Sequence, residues 1–189
     1  MRKLINATLA IAGLMVLLSS TAAAQKLPKS IYIQGQAMGQ STQMGQTFNL
    51  TVIIEEYSSA DDQKALLTAF NEKKNEGLVN ALSKMKSKGR ISITGTLGYD
   101  VSYIRKFPQP DGSTKIRLVT NRPITFGEAW SDSRSMDYNL SGLEIILNAN
   151  DKKNSGMLAP ACQFKMNKEN QVELELLQNE WKLVDVRRR

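Results

Sequence analysis

Glu55-Glu56 and Asp61-Asp62 sit on either side of the short link Tyr57-Ser58-Ser59-Ala60, and they are the residues with the most obvious capacity for acid–base work. Two facing carboxyl groups, one with a raised pKa, can hydrolyse a glycosidic bond. The same spacing also serves a plainer purpose. Ser59 followed three residues later by Asp62 forms a capping box, and acidic side chains favour the positive end of a helix. Capping accounts for these carboxylates, so they are read first as a helix start. The chain has no histidine and a single cysteine. Histidine triads, histidine general bases, the usual catalytic zinc sites and an intramolecular disulfide are therefore excluded. Most common hydrolytic machinery is missing, which favours a binding or structural role.

The remaining candidates are weaker. Ser83-Lys84-Met85-Lys86 matches the Ser-x-x-Lys pattern of penicillin-recognising serine enzymes, but the serine lies near a helix end and the chain has no Lys-Thr-Gly. Cys162 shares strand parity with Leu158 and Phe164 and reads as a small buried hydrophobe. Asp132 and Asp137 lack the dense oxygen spacing of a calcium loop. The methionines, Met38 and Met44 included, are too sparse for a soft-metal site. No metal and no cofactor is expected. The hairpin around Pro108-Gln109-Pro110-Asp111-Gly112-Ser113 is the most promising surface. Tyr103, Arg105, Lys106, Lys115 and Arg117 surround its tip, with Phe107 between them. Basic residues interleaved with aromatics grip anionic partners by charge and stacking, although natural sheet edges also carry Lys simply to stay unpaired.

These side chains need a scaffold. Phe48 to Ile54 has the β-branched content of a buried strand, and the helix start at Ser59 follows it directly. At about 100° per residue Leu66, Phe70, Leu78, Leu82 and Met85 form one helical stripe. Lys74 interrupts that stripe, and Asn71, Asn75 and Gly77 are poor helix formers. The expected element is therefore a helix over about 59–87, broken near 71–77. Ile91 to Leu97 alternates as a strand and runs on towards Tyr103, with a bulge or bend at Gly95 and Gly98. Further strands are expected before and after the 108–113 turn, over 143–147, 158–166, 172–176 and 181–186. The fold class is α+β, mainly antiparallel β. About eight strands form a curled sheet or partly closed barrel with the broken helix packed on it. Ile53, Ile93, Leu66, Phe70, Ile145 and Leu174 are expected to be buried together.

Met1-Arg2-Lys3, the uncharged apolar run from Leu4 to Leu18 and Ala22-Ala23-Ala24 have the layout of a secretory signal peptide. Removing 24 of the 189 residues leaves 165 for a single β-rich domain, 25–189, with no transmembrane segment, in the periplasm or extracellular space. Without Arg2 and Lys3 the formal charge falls from +7 to +5. The expected function is an exported, non-enzymatic binding or interaction domain. The partner would be an anionic glycan, a lipid headgroup or an acidic protein rather than nucleic acid. A histidine-free, carboxylate-dependent hydrolase is the alternative.

Overall fold

The computed structural model describes residues 30–124, 138–166, 172–176 and 180–189; the expected signal of residues 1–24 and the pair Asp132 and Asp137 lie outside them. In chain order the elements are β1 (Ile31–Met38), β2 (Thr47–Ile54), α1 (Ala60–Lys84), β3 (Gly89–Ile93), β4 (Tyr99–Val101) and β5 (Tyr103–Pro108). They continue with β6 (Thr114–Thr120), β7 (Leu140–Leu147), β8 (Ser155–Met166), β9 (Val172–Leu176) and β10 (Trp181–Arg188). Nine strands follow the path β4-β3-β2-β1-β10-β8-β7-β6-β5, and β9 adds to β8. Every pairing is antiparallel. The sheet curls into a nearly closed barrel with one helix packed on it, as the sequence leads one to expect.

Closure follows from chain connectivity. Ser102 alone separates β4 from β5, the two ends of the path. The link between β2 and α1 spans the same region. Glu55 and Glu56 donate their backbone N–H groups to the Lys88 carbonyl, and Lys88 N–H donates to Val101 at 2.8 Å. Ser58 N–H donates to the Ile104 carbonyl at 2.7 Å, while Ser58 Oγ accepts from Ile104 N–H at 3.0 Å. These bonds occupy strand-edge groups that would otherwise invite another chain.

The expected common core is in fact two. Side chains alternate across a strand, so one face of each strand fills the barrel. Ile93 and Ile145 belong there, with Ile33, Val52, Leu118 and Trp181. Leu66 and Phe70 instead pack outside the barrel, where α1 covers Val119, Leu140, Cys162 and Phe164. Ile53 is only half-buried, and the side chain of Leu174 lies outside the described residues. The β3–β4 region also departs from expectation. The chain does not run on as one bulged strand from Ile91 to Tyr103. It reverses, pairing Gly89 with Val101 and Ile91 with Tyr99. Gly95 and Gly98 have φ of +85° and +80°, values suited to a turn that L side chains resist. Leu97, at this turn, is 92% exposed.

The helix break lies where the sequence conflicts with itself. Lys73 (φ −134°) and Lys74 (φ +50°) leave helical geometry, which turns Lys74 out of the apolar stripe. Gly77 is needed just beyond, because a Cβ there would fall 2.1 Å from the Ala69 carbonyl oxygen. The helix start forms the expected reciprocal cap: Asp62 N–H donates to Ser59 Oγ at 3.1 Å and Ser59 N–H donates to Asp62 Oδ2 at 2.7 Å.

Asp62 also faces Lys88, which is only 8% exposed; Lys88 Nζ lies 3.3 Å from both Asp62 Oδ2 and Glu56 Oε1. The Ser59 backbone hydrogen bond, aided by Lys88, holds the Asp62 carboxyl below the usual range. Burial alone would lower Lys88, but its hydrogen bonds to Asp62 and Glu56 outweigh that and raise it. Lys88→Met is expected to cost about 1–2 kcal/mol at neutral pH, less than a fully buried pair because Asp62 and Glu56 keep contact with water. A lowered carboxyl contributes stability above its unfolded pKa, and this is lost as pH falls through the folded value. A raised lysine contributes below its unfolded pKa, and this is lost as pH rises through the folded value. The gap between wild type and variant should therefore be flat at neutral pH. It should shrink below about pH 4 and again above about pH 10.4. Chemical denaturation across this range measures it, and a gap that widens in acid would contradict the ion pair.

Candidate functional site

The face that α1 covers is not filled. A cavity of about 450 Å³ remains between the helix and the sheet. Leu66, Phe70, Leu78 and Leu82 form its helical wall, and Val119 and Phe164 its floor. Tyr103, Phe107 and Arg117 bound it on the side of the β5–β6 hairpin, and Gln63 adds an amide. The break in α1 sends its two halves over the sheet in different directions, and Leu66 and Phe70 come from one half, Leu78 and Leu82 from the other. Leu67, which also borders the cavity, is 38% exposed, so the space opens to solvent. An apolar recess of this volume with a few polar groups has the general form of a small-molecule site.

Strand parity decides where the hairpin residues go. Tyr103, Arg105 and Phe107 share the outer face with their cross-strand partners Val119, Arg117 and Lys115. Lys106 does not join them. It pairs with Ile116 of the barrel interior and faces the other way, its ammonium 5.2 Å from the Tyr57 ring centroid. Four of the five residues singled out in the sequence are thus assembled on one face. Their charges are partly answered by Glu144 on β7. Arg117 Nε donates to Glu144 Oε1 at 2.7 Å, and Nη2 reaches the same oxygen. Lys115 Nζ lies 3.7 Å from Oε2. Arg105 is left with one unanswered donor: its Nη1 is buried with no hydrogen-bond partner among the described residues. Arg105 and Arg117 lie 5.6 and 5.7 Å from the Phe107 ring centroid, so one aromatic ring supports both.

Neither Asp62 nor Cys162 lines this cavity. Asp62 is engaged in the cap and held ionised, whereas a general acid needs a raised carboxyl pKa. Cys162 is fully buried under the helix, and burial pushes its thiol up to about 12, leaving little of the reactive thiolate. Among the described residues no group of three His, Cys, Asp or Glu side chains is placed to share a metal ion. No helix of the described residues is long and apolar enough to cross a membrane. The helical stripe was visible as a packing face, but its failure to fill the space beneath it was not, because a void depends on the curvature of the sheet opposite. Comparison with models of known protein families, with curated proteins and with solved structures gives no match for this chain.

Proposed function

We propose that this chain is an exported binding domain that holds a small, largely apolar molecule between α1 and the outer face of β5, β6 and β8. The cavity of about 450 Å³ carries this reading. A packed helix–sheet interface normally leaves few voids larger than a water molecule. Leaving this one open forgoes contact energy, and a bound ligand would restore it. Export rests on the basic start, the apolar run and the Ala22-Ala23-Ala24 site.

Native mass spectrometry of protein purified from its own host tests both parts. The expected spectrum shows a chain beginning at or near Gln25 and a retained small molecule that dissociates on mild activation. Leu78→Trp, which places an indole where the cavity now is, should fold and lose that molecule. Retention of the same species by both proteins would place it elsewhere, and a mature chain that still carries Arg2 would remove the export reading.

A further inference from the structure

The ligand's head group can be inferred from the arginines beside the cavity, and this step rests on the cavity reading above. Register places Arg105 directly opposite Arg117, and like charges in that arrangement repel. The fold relieves only one of them. Glu144 takes two N–H donors of Arg117 and, at longer range, Lys115. Of these three cations, Arg117 and Lys115 thus share one carboxylate, and Arg105 has no part in it. Its Nη1 is shielded from water and has no hydrogen-bond partner among the described residues. A guanidinium fork presents parallel N–H donors that match a carboxylate or phosphate. Tyr103 and Phe107, the residues on the same face either side of Arg105, both border the cavity, as does Arg117; Arg105 itself does not line it, so pairing with a bound head group requires its side chain to turn towards the cavity. The geometry points to an acidic amphiphile as the ligand: an apolar chain in the cavity and a carboxylate or phosphate group paired with Arg105.

Size limits the class. At the roughly 30 Å³ that a liquid water occupies, 450 Å³ has room for about fifteen non-hydrogen atoms. Decanoate and decyl phosphate fit that limit. The test is calorimetric titration of the folded full chain with decanoate, decyl phosphate, decanol, acetate and inorganic phosphate. Both decyl acids should bind at least about tenfold more tightly than decanol, and the two tail-less anions should not bind measurably. That difference corresponds to about 1.4 kcal/mol. Arg105→Gln should bring the acids down to the level of decanol and leave decanol itself unchanged. Arg105→Lys, which keeps the charge and loses the fork, should fall between. Which decyl acid binds better identifies the head group. If decanol matches the acids and Arg105→Gln changes nothing, the head-group assignment is overturned and the cavity reading stands. If no decyl compound binds, or if Leu78→Trp binds them as the wild type does, the cavity reading fails and takes this inference with it.

Discussion

Trp181→Ala is expected to cost about 3–5 kcal/mol, a large fraction of the stability of a domain this size. Trp181 is 1% exposed, and its ring centroid lies 4.9 Å from that of Phe48. It opens β10, which joins β1 to β8 in the middle of the sheet path. Truncation would leave a void inside the barrel, walled by strands that are hydrogen-bonded on both sides and slow to collapse. Leu66→Ala offers the comparison. Leu66 is 8% exposed and already borders open space, so truncation enlarges a cavity instead of creating one. Its loss should fall near 2 kcal/mol, the low end for such changes. Urea unfolding of both variants gives the ranking. If Leu66→Ala costs more than Trp181→Ala, the helix–sheet interface and not the barrel interior holds the fold together.

The two cores explain what could be read in advance. The helix, its cap, its break and the 108–113 hairpin are local features, set by neighbours within a few positions, and all four lie where the sequence places them. The division of the core is not local. Alternation shows that a strand has two faces, but not which face looks into a barrel. Where α1 covers the outside, both faces are buried: Leu118 and Val119 are adjacent in β6 and enter different cores. In β8 the register shifts opposite Leu140 and Gly142, so Leu158 looks inward while Cys162 lies under the helix. Their shared parity in the sequence concealed this. Gly95 and Gly98 were ambiguous in the same way, because glycine suits a bulge as well as a reversal. The hairpin cations were legible as a group, but Glu144, which neutralises part of them, lies on the next strand and about thirty positions away. No pattern in the sequence links it to them.

Asn75→Ala is expected to cost about 2–4 kcal/mol and to loosen the second half of α1, an effect out of proportion to one half-buried amide. As a poor helix former, Asn75 reads in the sequence only as part of the helix break. In the structure it substitutes for a neighbouring strand. β7 begins at Leu140, opposite Cys162, so β8 continues past it with no strand paired on that side among the described residues. There the Asn75 amide pairs with the backbone of Phe164 as another peptide group would. Phe164 N–H donates to Asn75 Oδ1 at 2.7 Å, and Asn75 Nδ2 donates to the Phe164 carbonyl at 3.0 Å. Removing the side chain leaves both backbone groups unpaired beneath the helix, at about 1–3 kcal/mol each where water is kept out. Asn75→Asp should do little better, since it keeps the acceptor but sets a carboxylate against the Phe164 carbonyl. The same bonds hold Leu78 and Leu82 over the cavity, so ligand affinity should fall together with stability. Hydrogen exchange is the decisive measurement. The Phe164 amide should lose protection in Asn75→Ala, while Val52 of β2, a strand with no residue in the core under the helix, keeps its own. A loss under about 0.5 kcal/mol, as for an ordinary surface change, would mean that water replaces the Asn75 amide and that apolar contact alone seats the helix.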